Sequence, residues 1–424
     1  MRRDLERLNH VLIPATKSER DRWRNSRLAR RARPLLWMIT RLTREGRVVL
    51  VTVGLAAVFA IDVGRTETHL LVFALASLLL ASVLLAPAYR LEGVRVDVRC
   101  PRRVTVGEEI AFTLSFRNDG ATEHRYVRVE RPMLPWDGKW QGAQPTLARL
   151  PAGGSASTVV HARFVARGEH HIDRLSAAAL LPLWLAQGRS VLTPGGARFV
   201  VVPKIARVTS FAVGKNPRHQ LGGTASTART GDATDLLGVR PYRPGDPVRD
   251  LHARSWARHG SPMVREYQEE HLSRIGLVVD TDDSAAGDDQ LEGALSLAAG
   301  VIARLALGEA RVDLLLAGDG VHALASERNF GSLDQALDVL AAVKASDAFS
   351  ADRSIARLGG HLETLSSVVL VFLAWDAARA AFVSAIRARG AACVVLIVGD
   401  RTAREPHGTV VALDAITRGE ALSL

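Results

Sequence analysis

"LLVFALASLLLASVLLAPA" runs from Leu70 to Ala88 without a charged residue. As a helix at about 1.5 Å per residue it spans roughly 28 Å, close to the ~30 Å hydrocarbon thickness of a bilayer. A second apolar run, "VVLVTVGLAAVFAIDV", covers Val48–Val63 and reaches roughly 24 Å. Only Gly64–His69 lies between them. Asp62 sits near the outer end of the shorter run, where a carboxylate reaches water at limited cost. The pair reads as a transmembrane helical hairpin with a short outer turn. The alternative is a buried helical hairpin of a soluble domain. A cleaved signal peptide is disfavoured: the first run begins near residue 48, with no small-residue cleavage site after it.

Charge sets the expected orientation. The 424 residues carry a formal net charge of +11. Residues 1–47 hold 14 Lys or Arg against 5 acids, which leaves the remainder near neutral. A basic tail beside apolar segments favours an anionic lipid bilayer over nucleic acid as partner. The tail is expected to stay inside, and Arg65 alone in the turn cannot compete. Two crossings then place everything after Tyr89 in the cytoplasm, on a multi-pass protein of the inner cell membrane. The stretch Arg33–Arg47 reads equally as an interfacial amphipathic segment or as disordered chain. Cys100 and Cys393 are the only cysteines. They form neither a metal cluster nor a disulfide framework, which fits a reducing compartment.

From Leu91 to about Val208 apolar and polar residues alternate in short runs that mostly end in turn residues. Asn118-Asp119-Gly120 and Pro151–Gly154 are turn signals. The spacing predicts an antiparallel β-sandwich without chemistry of its own. His161, His170 and His171 read as surface histidines of strands. Residues 211–239 are rich in Gly, Thr and polar side chains and read as a linker.

The next stretch, "RPYRPGDPVRDLHARSWARHG", spans Arg240–Gly260. Asp246 suits a helix N-cap, with Pro247 at the first position and Gly260 just past the end. On such a helix Val248, Leu251, His252, Ser255 and Trp256 share one side, and Asp250 and Arg254 are spaced for an i,i+4 ion pair. "MVREY" then reads as a strand. Three readings compete: a structural charge network, a docking surface for an acidic partner, and an anion site. Ser255 has no base at a convincing spacing, so a nucleophilic enzyme is disfavoured.

From Ser273 onward, near-continuous apolar strands alternate with amphipathic helices. That pattern predicts an α/β, mainly parallel, doubly wound sheet, whose ligands sit at the carboxyl ends of the strands.

The order Arg240-x-Tyr242-x-x-Gly245-Asp246-x-x-Arg249-x-x-His252, then Ala257-Arg258, then Met263-Val264-Arg265-Glu266-Tyr267, resembles the signature of the domain of unknown function 58 family. One position departs: the tryptophan that usually follows the residue matching His252 is Ala253, and Trp256 stands three residues on. The resemblance implies a membrane hairpin, a β-sandwich and a C-terminal von Willebrand factor type A-like domain. It implies a scaffold or adaptor rather than an enzyme, working with a MoxR-type AAA+ ATPase and other membrane proteins in protein maturation or remodelling. Arg240, Tyr242, Gly245, Asp246, Arg249, His252, Trp256, Arg258, Arg265 and Glu266 would then orient domains or dock the partner. Type A domains hold Mg²⁺ through an Asp-x-Ser-x-Ser motif, which maps onto Asp280, Asp282 and Ser284, with Asp376 as a further contributor and Ser350 as a weak match for the usual threonine. A Mg-dependent enzyme or metal-dependent adhesion module centred there is the alternative function.

The expected organisation is a basic cytoplasmic tail (1–47), two transmembrane helices (48–88), a β-sandwich (89–210), a linker (211–239), the signature stretch (240–270) and a type A-like α/β domain (271–424).

Overall fold

The computed structural model describes residues 41–59, 66–211, 235–268, 274–282, 288–307, 311–317, 333–346, 349–362, 365, 367–399 and 408–424. Two units divide the chain, Met1–Pro203 and Lys204–Leu424.

The first unit opens with two helices, Arg44–Phe59 and Thr66–Leu85. Val49, Leu50 and Val53 of the first pack on a small core that includes Leu79 and Val83 of the second. Outward-facing residues on both are large and apolar: Leu55, Leu70, Phe73, Leu80 and Leu84 are all exposed. Among the described residues one stretch, His69–Ala88, is long and apolar enough to cross a membrane; it is the second of the two expected crossings, and Arg44–Phe59 falls short of that length. Asp62 and Arg65 of the expected outer turn lie outside the described residues, as does most of the basic tail.

The strands after Leu91 form the expected sandwich. One sheet has Gly138–Gln141, Ser155–Phe164, Glu109–Asn118 and Val94–Arg99 side by side, all antiparallel. A second holds Thr146–Leu150, His124–Glu130, Ser176–Ala179 and Val191–Leu192. Glu109–Asn118 shows why the pattern works. Ile110, Phe112, Leu114 and Phe116 alternate with exposed or half-exposed residues, because successive side chains of a strand point to opposite faces. The buried set meets Val127, Val129, Phe164 and Phe199 in one core. A third sheet departs from the all-antiparallel expectation, since Arg103–Thr105 runs parallel to Ala197–Val202. The two turn signals meet at one residue. Buried Asn118 donates to the carbonyls of Thr122 and Pro151, and its backbone N–H donates to Gly154.

His170 corrects the surface reading. Its side chain is 10 % exposed, with Nε2 2.5 Å from Asp137 Oδ2 and Nδ1 3.0 Å from the Gly168 carbonyl. A carbonyl and a carboxylate both accept, so the doubly protonated imidazolium is the form that satisfies both contacts. Burial opposes that charge, but Asp137 outweighs it and the pKa rises above 6.5. The folded state therefore gains stability below pH ~6.5 and loses it as pH rises through the elevated value. We expect the melting temperature of the sandwich to fall between pH 6 and pH 9, and Asp137→Asn to flatten that slope. A slope unchanged in Asp137→Asn would exclude the pair as its source.

The second unit carries a five-stranded, fully parallel sheet. Its order is Arg311–Ala317, Arg274–Asp280, Ser367–Phe372, Ala392–Val398, Thr409–Val411. Ser367–Phe372 is buried at every position, as expected of a central strand with both faces covered. Helices Asp288–Ala306, Leu333–Ala342, Ala351–Leu362, Ala377–Ala388 and Leu413–Arg418 connect or follow the strands. Val208–Ser210, expected within the sandwich, instead pairs with Leu422–Ser423. The sandwich unit therefore ends near residue 203 rather than 210. The expected linker also closes early, because a strand begins at Asp235. Within the alternation expected after Ser273, the run Val321–Ser326 lies outside the described residues.

Candidate functional site

The signature stretch is a hairpin with a folded connection. Asp235–Pro241 pairs antiparallel with Met263–Gln268. The connection is stitched back to the strands by its backbone: Tyr242 N–H donates to Pro262 and His252 N–H to Met263. Pro247 is extended (ψ 129), a short 3₁₀ turn covers Val248–Asp250, and a helix runs only from Ala253 to His259. Asp246 therefore does not cap that helix, and Asp250 and Arg254 do not share one. The bond from His252 N–H to the Met263 strand holds the chain extended where the longer helix would have passed. His252 is the cap instead, with Nδ1 accepting from Ser255 N–H and lying 2.7 Å from Ser255 Oγ. Gly260 closes the helix in the left-handed region as expected.

Asp246 has another task. Arg240 grips it with two parallel bonds, Nη1 to Oδ2 at 2.7 Å and Nη2 to Oδ1 at 2.8 Å. Arg243 N–H donates to Oδ2 at 2.8 Å. These bonds, the arginine's first, hold the Asp246 carboxyl down at about 2. The clasp is thus formed at all pH values above the acid range and lost only as pH falls towards 2. Gly245 supplies the turn inside it, with φ +105, a conformation that a side chain would strain. Tyr242, Val248 and Trp256 are 37 %, 72 % and 43 % exposed on this framework. Arg249, Arg258 and Arg265 are exposed too. Glu266 stands opposite Gly238 in the strand pair; its side chain lies outside the described residues.

The second cluster lies at the carboxyl ends of the parallel strands. Asp280 ends Arg274–Asp280, Asp282 follows two residues later, and Asp376 N-caps helix Ala377–Ala388. They do converge, and what they converge on is Arg379. Its Nε donates to Asp280 Oδ2 at 2.8 Å, Nη2 to Asp282 Oδ2 at 3.1 Å and Nη1 to Asp376 Oδ2 at 2.5 Å. The guanidinium is 1 % exposed and lies 4.9 Å over the Phe349 ring. Backbone donors complete the cluster: Asp282 N–H and Leu373 N–H serve Asp280, and Phe349 N–H serves Asp282. Burial pushes the Asp280 carboxyl up and Arg379 pulls it back. Burial also opposes the guanidinium charge, but Asp280, with Asp376 and Asp282, overcomes it and keeps the arginine charged.

This geometry does not fit Mg²⁺. A Mg²⁺ ion requires oxygens around an octahedral point, and these oxygens already surround an internal cation. Among the described residues no group of three or more His, Cys, Asp or Glu is arranged to hold a metal. Ser284 lies outside the described residues. Ser350 stands at the start of helix Ala351–Leu362, where Arg353 N–H points to its Oγ at 3.5 Å. The residue that sequence reading missed is Arg379. Its signal was present: Arg379, Phe382, Val383 and Ile386 follow i, i+3, i+4, i+7 spacing, and all four are buried. An arginine within an apolar stripe, three residues after a capping aspartate, points inward to a carboxylate partner.

No curated protein matches the chain. Among solved structures, native alpha-2-macroglobulin of Escherichia coli aligns at 14 % identity over 28 % of this chain and 8 % of its own, with a TM-score of 0.20. AvmM, which catalyses macrocyclization in alchivemycin A biosynthesis, aligns at 15 % identity over 27 % of this chain and 95 % of its own, also at 0.20. Such scores carry no weight for fold or function, and this chain spans under a tenth of the macroglobulin. The sequence profile of the family described as "Protein of unknown function DUF58" matches residues 238–423, which takes in the Arg240–Tyr267 motif and the parallel sheet and supports the family resemblance that the motif carries.

Proposed function

We propose that this protein is a membrane-anchored scaffold or adaptor. A transmembrane hairpin holds a β-sandwich and a von Willebrand type A-like domain at the cytoplasmic face of the inner membrane. The 240–262 connection docks a MoxR-type AAA+ ATPase that works on the maturation or remodelling of other proteins, some of them in the membrane. The observation that carries this reading is the connection itself. Its backbone is tied to two strands and clasped by Arg240 and Asp246, yet it exposes Tyr242, Val248 and Trp256 among exposed arginines. Rigid aromatic and arginine side chains on a pre-formed frame are the usual energetic centres of interfaces. The apolar, outward-facing helices support the anchor, and the basic tail supports its orientation. Capture of the Asp280 cluster by Arg379 supports a scaffold over a Mg-dependent enzyme.

Affinity capture of the full chain from solubilised membranes of its own host tests the docking role. Wild type is expected to recover an AAA+ ATPase, identified by mass spectrometry. Trp256→Ala and Arg249→Ala are expected to reduce that recovery about tenfold. Equal recovery by all three would remove the connection from partner binding.

A further inference from the structure

Among the described residues only three non-glycine residues have positive φ, namely Tyr126 (53), Leu183 (67) and Trp184 (58). All three belong to one place. Tyr126 and Trp184 line a cleft of about 790 Å³ that begins at Ala88, the last residue of the apolar helix stretch, and Leu183 adjoins Trp184. Backbone strain of this kind concentrates at functional sites. Here it turns large apolar side chains outward. Leu183 is 66 % exposed, Tyr126 46 % and Trp184 44 %, with the two rings 5.9 Å apart. Arg90 and Arg125 also line the cleft, alongside His124 and Glu123.

The cleft is fixed to the helix ends. Thr43 N–H donates to the Leu185 carbonyl at 3.1 Å, Gln187 N–H to Arg41 at 2.9 Å and Arg189 N–H to Tyr89 at 3.1 Å. Gly46 lies so close beneath the turn that a Cβ there would stand 1.9 Å from Leu185 O. The turn Pro182–Trp184 is thus clamped between the chain entering the first helix and the chain leaving the second. Wherever the helices end, the cleft sits at the same level.

We propose that this cleft seats the headgroup of an anionic phospholipid of the cytoplasmic leaflet, with the lipid phosphate at Arg90 and Arg125, Tyr126 and Trp184 at the interface, and Leu183 dipping towards the acyl chains. Tryptophan and tyrosine rings favour the headgroup level because one edge is polar and the body apolar. Guanidinium groups match phosphate oxygens in pairs. Arg125 reaches Glu123 at 2.8 Å, and Glu123 is also held by Arg149 at 2.7 Å, so a phosphate can share Arg125 without stranding the carboxylate. The proposal rests on the membrane-anchor reading.

Native mass spectrometry of the full chain, extracted from nanodiscs of equal phosphatidylcholine and phosphatidylglycerol, tests it. Wild type is expected to retain phosphatidylglycerol over phosphatidylcholine, and Arg90→Gln/Arg125→Gln to lose that preference about fivefold or more. Lys139→Gln/Arg163→Gln removes the same charge from positions that do not line the cleft and is expected to retain it. Loss in both double variants, or in neither, overturns the site. Inorganic phosphate that displaces the retained lipid at equimolar amounts would assign the cleft to a free anion and overturn the lipid. A carbonate wash separates this from the anchor: release of wild type from membranes sinks the anchor reading, whereas retention in membranes with no lipid preference sinks only the cleft.

Discussion

Replacing Arg379 with alanine is expected to cost about 3–5 kcal/mol, the usual loss when one partner of a buried ionic cluster is removed. For a unit of this size that lowers the melting temperature by roughly 10 °C. The cost comes from what stays behind. Asp280 and Asp282 are buried, and without the guanidinium they face each other and Asp376 with no counter-charge. Arg379→Lys keeps a charge but loses the planar fork that reaches three carboxylates, so it is expected to recover only part of the loss. Magnesium sharpens the test. Millimolar Mg²⁺ is expected to leave wild type unchanged, because its carboxylates are engaged, and to raise the melting temperature of Arg379→Ala, where three are freed. A rise of several degrees in wild type would mean that the ion displaces Arg379, and the internal-cation reading would fail.

Phe112→Ala should be as damaging to the other unit. Phe112 is fully buried in the sandwich, with edge contacts to Trp140 and Phe199 at ring separations of 5.8 and 5.7 Å. Truncating a phenylalanine in such a core costs about 3–5 kcal/mol, through lost burial and the cavity left between layers. Chemical denaturation of the full chain should show one transition weakened by that amount. A loss below 1 kcal/mol would mean that the two sheets do not share this core. Phe112→Leu, which fills most of the volume, is expected to cost much less.

The two largest corrections share a cause. Helix signals at Asp246-Pro247 and Gly260 were sound locally, and the C-cap formed where it was expected. The start moved to Ala253 because His252 and Leu251 make strand-like contacts with Met263 and Val264. Those partners lie about a dozen residues away, beyond the reach of capping rules. The acidic cluster shows the same limit. Asp280, Asp282 and Asp376 lie near strand ends as read, but the cation that joins them comes, for Asp280 and Asp282, from a helix nearly 100 residues later in the chain, the one that Asp376 caps. His170 is a third case: period-2 patterning puts a side chain on a face, but cannot tell that Asp137 waits there.

What the sequence determined alone was whatever depends on neighbours along the chain. Apolar helix segments, the alternation that makes a sandwich, the buried strands of a parallel sheet and the spacing of the Arg240–Tyr267 motif all follow from side-chain periodicity and turn chemistry within a dozen residues. The tertiary structure decided what depends on distant charges and on backbone held away from its local preference. It supplied Arg379 at the carboxylates where the alternative reading placed a metal ion, changed the aspartate of the signature from a helix cap into a clasp for Arg240, and gathered three strained residues beside the last turn of the apolar helix. A buried charge is stable only when its partner arrives, and a strained backbone only when its surroundings hold it; both conditions exist only once the chain has folded.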